Sequence, residues 1–306
     1  MAFPKECDIA VIGGGLAGLS AAVRAAAGGA SVACFESNPM VGGLVANIGR
    51  LDDYPGAGAI AGTTLAYELA TRARSLGVVM VEAEVTRLEG SGGGIALTSA
   101  AGLCRCKAVI IASGARLRQL GVPGERELAG RGVSQCDWCD GGLYRGKRVA
   151  VVGGGDAACQ AALHLAQGSE SVTLIVRGAE LSARREYVLR AADNPAIDFR
   201  WETTVERIVG VNGVEALVLA NAVEGSTATE PYAAVFVFVG LEPNLQFVPA
   251  SLQRDVNGHA VTDVQYRSSV PGVFVVGAAR SGNGGSLLSA MGEAATAASL
   301  AVAGID

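Results

Sequence analysis

The sequence is short of charge and of long apolar runs, and these shortages exclude several classes of protein. Only 17% of its 306 residues are charged and the net charge is −5, so no basic surface exists for nucleic acid or anionic lipid. The longest apolar run, residues 233–241, is too short to span a bilayer. The N-terminus has no signal-peptide pattern. We therefore expect a cytoplasmic protein that binds neither nucleic acid nor membrane.

Cysteine is present, but not in the pattern of a secreted disulfide framework. The count of seven is odd, and the spacing is irregular. In a reducing compartment most of these side chains remain free thiols, so a close pair points to redox chemistry or metal binding rather than to a structural bridge. Half of the residues are apolar, and this composition supports a large core and two domains of ordinary size.

A strand–turn–helix–strand unit occurs twice along the chain. The first runs from a strand at 8–12 through a glycine turn and a helix at 16–27 to a strand at 31–36. The second has its strands at 148–152 and 171–176 and its helix at 156–167. Hairpins are predicted for 81–88 with 94–99, around residues 90–93, and for 205–209 with 214–220. Further strands are predicted at 107–112, 232–239 and 272–277, and a final helix at 286–302.

The duplication predicts an α/β fold with two Rossmann-like, three-layer ββα dinucleotide-binding domains. We place one domain at residues 1–115 and 244–306, which makes it discontinuous, and the other at residues 116–243.

The first glycine turn has the spacing of a dinucleotide site. Gly13 permits a sharp turn, Gly15 lets a pyrophosphate approach the backbone, and Gly18 lets the helix pack on the sheet. Helix N-terminal amides then face the phosphates. Glu36 ends the next strand and is suited to accept hydrogen bonds from an adenosine ribose. Gly42-Gly43 follow at the distance usual for flavin folds.

A single CxxC, Cys136 to Cys139, is the second chemical signal. Structural zinc would need two more ligands, and the sequence offers only Cys104 with Cys106 and two isolated histidines. A reducible disulfide is the better interpretation. Asp140 beside Cys139 is suited to carry a proton for the leaving thiolate. Cys7, Cys34, Cys159 and His164 lie in apolar contexts and are expected to be packing residues.

Several segments together resemble the signature of the low-molecular-weight thioredoxin reductases. They are residues 111–115, 122–125, 130–136, 139–141, 144–147, 151–156, 239–244 and 271–277, and the loop from Gly42-Gly43 to Asp53-Tyr54-Pro55-Gly56. The resemblance covers nearly the whole chain. It implies a homodimer, with FAD bound by the discontinuous domain and an NADPH-domain-like lobe that carries the CxxC.

The resemblance also implies residue roles and partners. Cys139 contacts the flavin, Cys136 attacks the partner disulfide, and Asp140 donates and accepts the proton. Ala112, in the matching segment 111–115, and Gly277, at the end of the last flavin strand, are expected to bind the cofactor, and no metal is implied. The expected partner is a thioredoxin-like protein or a small-molecule disulfide or dithiol.

The sequence departs from the family at the electron-donor lobe. Its glycine turn is present as Gly153, Gly155 and Ala158, but only Arg177 remains of a His-Arg-Arg cluster that grips the 2′-phosphate of NADPH. On the flavin side, Ala278 replaces an aspartate and Gly285-Ser286 replaces an Arg-Gln pair. Trp138 stands where a small residue is usual and is predicted to stack on a cofactor ring.

These departures lead to the hypothesis that NADPH is not the native reductant, with ferredoxin or a second FAD as alternative electron routes. Three other functions stay open from the sequence: a dithiol oxidase that uses oxygen, an ordinary NADPH-dependent thioredoxin reductase, and a flavin-binding redox sensor without turnover.

Overall fold

The computed structural model describes residues 3–51, 54–55, 59–91, 94–283 and 285–305. The chain divides into two compact units, residues 1–116 with 242–306, and residues 117–241. Asp53 and Gly56 of the predicted flavin loop, and glycines 92 and 93 of the predicted hairpin turn, lie outside the described residues.

The strands are β1 (Glu6–Ile12), β2 (Val32–Glu36), β3 (Val79–Glu82), β4 (Val85–Ser91), β5 (Gly94–Ser99), β6 (Gly102–Ile111), β7 (Ala115–Leu117), β8 (Val133–Ser134), β9 (Arg148–Val152), β10 (Ser171–Ile175), β11 (Ile197–Arg200), β12 (Thr203–Val209), β13 (Ala216–Asn221), β14 (Ser226–Pro231), β15 (Ala234–Val237), β16 (Leu241–Pro243) and β17 (Val273–Val275). The α-helices are α1 (Leu16–Ala27), α2 (Gly62–Ser75), α3 (Asp137–Asp140), α4 (Asp156–Leu165), α5 (Arg185–Ala192) and α6 (Leu287–Ala303).

The first unit is built on one seven-stranded sheet. Its order is β3-β2-β1-β6-β5-β4. Strand β6 pairs in parallel with β1 from Arg105 to Ile111. On its other side, the N-terminal half of β6 pairs with β5 and the C-terminal end pairs with β17. Strands β3, β2, β1, β6 and β17 run parallel, and β4–β5–β6 form an antiparallel meander.

The alternation of side chains along β1 divides the core of this unit into two layers. Ile9 and Val11 pack on one face of the sheet with helices α1 and α6, whereas Ala10 and Ile12 pack on the other face with Leu88 of the β4–β5 hairpin. Strands buried on two faces are near-continuous apolar runs, which is the pattern that identified them.

One predicted element of the first unit is wrong. Residues 81–88 do not form a single hairpin strand, because the chain ends β3 at Glu82 and begins β4 at Val85. Strand β3 pairs with β2, and only β4 forms the antiparallel hairpin with β5. The apolar alternation continues through the break, so the pattern alone did not reveal it.

The second unit repeats the layered plan. Its sheet has the order β11-β10-β9-β15-β8, and its paired strands are parallel. One face packs on α4 and the other carries a three-stranded antiparallel sheet, β12-β13-β14. Strands β7 and β16 form a separate two-stranded ribbon. The predicted α/β fold with Rossmann-like parallel sheets is confirmed.

None of the helices in the described part of the chain combines the length and the hydropathy that a membrane span requires.

Candidate active site

The first glycine turn joins β1 to α1 and needs glycine for steric reasons. Gly13 has φ +109°, and a Cβ there would lie 2.3 Å from the carbonyl oxygen of Ala112. A Cβ on Gly18 would lie 1.8 Å from the carbonyl oxygen of Gly13. Gly15 has more space around it, because the atom nearest to a Cβ on Gly15 would be the Gly42 carbonyl oxygen, 3.9 Å away. The turn is therefore closed on its sheet side and open above Gly15.

Glu36 lies at the end of β2, directly against this turn. Its Oε2 accepts a hydrogen bond of 2.6 Å from the Gly14 amide, and its Oε1 accepts one of 2.8 Å from the Asn38 amide. Gly15 occupies the N-cap position of α1 and has no side chain to cap it. The first-turn amides of α1 and a carboxylate thus lie side by side, as a nucleotide site requires.

The predicted residues Gly42-Gly43 and Gly277 are brought to the same helix end. The Gly42 amide donates to the Gly14 oxygen at 2.8 Å, and a Cβ on Gly43 would lie 3.4 Å from the Gly15 Cα. Gly277 has φ +68°, and a Cβ there would lie 3.2 Å from the Ala17 Cβ.

Glu293 of α6 is a buried carboxylate next to Gly277 that sequence reasoning missed. Its Oε2 accepts from the Gly277 amide at 2.8 Å, and its Oε1 accepts from Arg280 at 2.6 Å and from Asn283 at 3.0 Å. The arginine neutralises a carboxylate that would otherwise be costly to bury. An acidic residue inside an apolar helix is the signal that could have identified it. Helix α6 is capped by Ser286, whose Oγ accepts from the Ser289 amide at 3.1 Å.

In the second unit, Cys136 and Cys139 are joined by a disulfide, with their Cα atoms 5.3 Å apart. Cys136 is the N-cap residue of α3, and its Sγ accepts a hydrogen bond of 3.2 Å from the Cys139 amide. Such a bond stabilises negative charge on the Cys136 sulfur once the disulfide opens. Cys136 is half-buried and Cys139 is exposed.

Asp140 is held beside the disulfide by Ser134, the last residue of β8. Ser134 Oγ donates to Asp140 Oδ2 at 2.6 Å and accepts from the Cys136 amide at 3.0 Å. Burial of the Tyr144 side chain raises its pKa, and the nearby negative charge of Asp140 raises it further. Sequence reasoning missed Ser134, since a strand-end serine has no distinctive pattern.

The two residues between the cysteines contact helix α4. Asp137 Oδ2 lies 2.7 Å from Nδ1 of His164, and the Trp138 indole stacks on the His164 ring with centroids 4.0 Å apart. Trp138 stacks on a ring, but that ring is a histidine; a flavin contact for it stays a prediction. His164 is a hydrogen-bonded packing residue, as expected, and the two residues that it contacts, Asp137 and Trp138, lie between the redox cysteines.

The remaining cysteines are free thiols inside the sheets or against them. Cys34, Cys104, Cys106 and Cys159 are buried, and Cys7 is half-buried with its Sγ 3.8 Å from that of Cys104. Over the described part of the chain, no group of three or more His, Cys, Asp and Glu side chains is arranged to hold a metal ion.

The second glycine turn reproduces the first in its backbone. Gly153 has φ +142°, and a Cβ on it would lie 2.3 Å from the Phe238 oxygen and 3.0 Å from the Cβ of Ala158. The Gly153 amide donates to the carbonyl oxygen of Ile175, and the Gly13 amide donates in the same way to the carbonyl oxygen of Phe35. Above Gly155 the clearance is also the same as above Gly15, since the nearest neighbour of a Cβ would be Ser182 Oγ at 3.9 Å.

The segment that follows β10 is tied onto this turn by hydrogen bonds. The Ser182 amide donates to the Gly154 oxygen at 2.8 Å. Arg184 donates to both oxygens of Asp156, from its amide at 2.7 Å and from Nε at 2.6 Å, and its guanidinium lies over the Tyr187 ring. The bond to Asp156 raises the pKa of Arg184. Arg177 is exposed at the end of β10.

Comparison with known proteins agrees with this geometry. The family model described as pyridine nucleotide-disulphide oxidoreductase matches residues 7–299. The chain belongs to this family. The thioredoxin reductase of Treponema pallidum (strain Nichols) is 36% identical over 98% of this chain and 98% of its own. The match over nearly the full length makes the protein a thioredoxin reductase-like flavoprotein disulfide oxidoreductase.

Solved structures give the same result for the fold of this family member. The crystal structure of Lactococcus lactis thioredoxin reductase has a TM-score of 0.93 at 32% identity, covering 98% of this chain and 99% of that chain. That of T. acidophilum thioredoxin reductase has a TM-score of 0.90, also at 32% identity, with coverages of 98% and 99%.

Proposed function

We propose that the Cys136–Cys139 pair passes two electrons between FAD and the disulfide of a thioredoxin-like partner, and that NADPH is not its native reductant. The observation that carries the first part is the closed disulfide at the N-cap of α3, with Asp140 held beside it by Ser134. The second part rests on the pairing of Arg184 with Asp156.

The residues of the first unit fit the FAD that the family implies. The open face above Gly15, the uncapped first turn of α1 and the adjacent Glu36 suit a pyrophosphate and a ribose. Gly42-Gly43 and Gly277 border the same helix end. When bound, FAD supplies two-electron chemistry that a disulfide pair exchanges with.

The cysteines and Asp140 account for the thiol chemistry. In the reduced pair, the Cys136 thiolate attacks the partner disulfide, forms a mixed disulfide and releases one partner thiolate, which takes a proton. The Cys139 thiolate then attacks Cys136 Sγ, which re-forms the disulfide and releases the second partner thiolate. Asp140 takes the Cys139 proton and delivers it to the departing sulfur. Two electrons and two protons pass to the partner.

The partner and the setting follow from the family. A thioredoxin-like protein presents an exposed disulfide that a half-buried thiolate at Cys136 is able to attack, and a small-molecule disulfide is the alternative substrate. We place the enzyme in the cytoplasm, because free cysteines such as Cys7 and Cys34 remain reduced there. The family resemblance supports a homodimer.

The second unit offers few free cations for the 2′-phosphate of NADPH. The Arg184 guanidinium already donates from Nε to Asp156 at 2.6 Å and lies 3.6 Å from Glu186, so two carboxylates of the protein already balance its charge. Arg177 is exposed and is followed by Gly178 and Ala179, and the next exposed arginine without a bond to Asp156, Arg185, begins helix α5 eight residues further along. A single exposed arginine contributes little binding free energy to a dianionic phosphate, because water screens their attraction.

Anaerobic titration of the yellow holoprotein with NADPH tests this proposal. We expect little loss of flavin absorbance with NADPH and full bleaching with reduced ferredoxin, with reduced free flavin as the second route. Bleaching by a dithiol followed by rapid oxygen uptake would instead identify a dithiol oxidase. Prompt stoichiometric bleaching by micromolar NADPH would contradict the donor hypothesis and indicate an ordinary thioredoxin reductase.

A gain-of-function variant provides the matched control. Gly178→Arg with Ala179→Arg restores two cations beside Arg177, and a Cβ on Gly178 would meet only the backbone of Glu180, at 3.8 Å or more. We expect this variant to bleach with NADPH at concentrations at least about tenfold lower than wild type requires.

A further inference from the structure

Helix α3, which carries the redox cysteines, is a single turn of four residues, Asp137–Asp140. A helix this short is not stable by itself, because nucleation costs more than one turn of hydrogen bonds returns. Its conformation, and with it the spacing of the two sulfurs once they are reduced, must be fixed by contacts from outside the turn.

Ser134 supplies two of these outside contacts, to Asp140 and to the Cys136 amide, and two more come from one side chain of helix α4. Nδ1 of His164 lies 2.7 Å from Asp137 Oδ2, and the His164 ring stacks on Trp138 with an interplanar angle of 19°. Asp137 and Trp138 are the two residues between the cysteines. The side chain of Asp137 is 14% exposed and that of His164 27% exposed, so their bond is sheltered from water and stronger than a surface pair.

The anchor of this side chain is rigid. His164 lies in the last turn of α4, whose buried face packs on β9 and β10 through residues such as Ala158, Ala161 and Leu165. The His164 ring therefore holds the segment between the cysteines at a fixed position relative to the sheet. Sequence spacing hides this relationship, because 27 residues separate His164 from Asp137.

We propose that His164 is a positioning residue for the Cys136–Cys139 pair. By holding Asp137 and Trp138, it keeps the two thiols of the reduced pair at bonding distance and so stabilises the disulfide. This inference rests on the proposed function, since it takes the pair to be the redox centre. Loss of His164 makes the pair a stronger oxidant and a slower donor to its partner.

The test is the equilibrium of the pair with dithiothreitol in the holoenzyme. The exchange balances without another reactant, because the disulfide takes two electrons and two protons from the dithiol as dithiothreitol closes its own ring. The redox state of the peptide that contains Cys136 and Cys139 is read by alkylation and mass spectrometry at each ratio of reduced to oxidised dithiothreitol. This reading needs neither the native donor nor the native partner.

Three substitutions of His164 separate the contribution of its hydrogen bond to Asp137 from that of its stacking on Trp138. His164→Ala removes the bond and the stack, and we expect it to favour the dithiol about tenfold, which is about 30 mV for a two-electron couple. His164→Asn places an amide N–H donor near Asp137 and should recover most of that change. His164→Phe keeps a ring on Trp138 but loses the donor, and should recover less.

Two further variants test whether the change in equilibrium is specific to the contacts of His164. Trp138→Leu removes the stack from a side chain that is 53% exposed, so it does not threaten folding and should shift the equilibrium in the same direction. Gln167→Ala changes an exposed residue just beyond α4 and should leave it unchanged. Thermal unfolding of each variant shows whether the fold is intact.

The two possible failures give different results. Equilibria of His164→Ala and Trp138→Leu within about twofold of wild type would overturn the positioning role and leave the proposed function intact. A pair that does not exchange with dithiothreitol in the wild-type protein would overturn the proposed function and this inference together.

Discussion

Ser134 Oγ bridges the two chemical groups of the redox centre, donating to Asp140 Oδ2 at 2.6 Å and accepting from the Cys136 amide at 3.0 Å. Ser134 is buried at the end of a strand of the parallel sheet. A rigid element thus fixes the proton carrier relative to the nucleophile, which is the arrangement that proton transfer during thiol exchange requires.

Substitution of Asp140 tests that role. Asp140→Asn keeps the shape and the hydrogen bond to Ser134 but carries no proton, so we expect disulfide turnover to fall about 100-fold. Ser134→Ala leaves the carboxylate in place but loosens it, and should cost about tenfold. Turnover is measured with dithionite-reduced enzyme and a thioredoxin disulfide, which avoids any assumption about the donor. Asp198→Asn, an exposed change in the same unit, is the control; equal rates for Asp140→Asn and this control would remove Asp140 from the mechanism.

Glu36 is expected to contribute to FAD affinity. It accepts the Gly14 amide at the open glycine turn, where it is suited to receive ribose hydroxyls. Glu36→Ala should weaken FAD binding by about 1.5–3 kcal/mol, the range for hydrogen bonds to a charged group. The FAD affinity is measured by titrating the apoprotein with FAD and following the quenching of flavin fluorescence on binding. Glu82→Gln on β3, the register neighbour of Glu36, should bind FAD normally. An unchanged FAD affinity in Glu36→Ala would contradict the assignment.

Thiol reactivity should distinguish the redox pair from the other cysteines. Burial, with a nearby carboxylate, raises the pKa of Cys34 to about 12 and that of Cys159 to about 11. Burial, with the neighbouring Cys104, raises the pKa of Cys106 to about 12. Since only the thiolate reacts, these three thiols stay protonated as the pH rises from 7 to 9.

Iodoacetamide labelling followed by peptide mass spectrometry checks this expectation. After brief reduction of the native protein, Cys136 and Cys139 should be alkylated, and faster at pH 9 than at pH 7. Cys34, Cys106 and Cys159 should react only after unfolding. Labelling of a buried cysteine at a rate similar to that of the redox pair would show that the sheets open readily.

Local patterns predicted the parts of this protein that local sterics control. Glycine at 13 and 18 is required by contacts of a Cβ with nearby backbone, and the same constraint acts at Gly153, so the two turns could be recognised from spacing. The break between β3 and β4 was missed because the apolar alternation continues through Glu82. There the pairing partner of each strand, and not its own pattern, decides where it ends.

Side-chain partners that are distant in sequence could not be predicted in the same way. His164 reaches Asp137 because α4 packs beside α3, and Arg184 reaches Asp156 because the segment after β10 folds over the second glycine turn. Each pair joins residues 27 or 28 positions apart, and no periodicity relates them. The charge count around Arg177 was visible in the sequence, but the engagement of Arg184 was not.

The proposed function depends on electron exchange between the Cys136–Cys139 pair and the flavin. Anaerobic reductive titration with dithionite tests this exchange by counting the electrons taken up per FAD. We predict that the wild-type holoenzyme takes up about twice as many electrons per FAD as the Cys136→Ser/Cys139→Ser double variant, because disulfide and flavin each accept a pair. Equal uptake by the two proteins would contradict the account, since the disulfide would then lie outside the electron path.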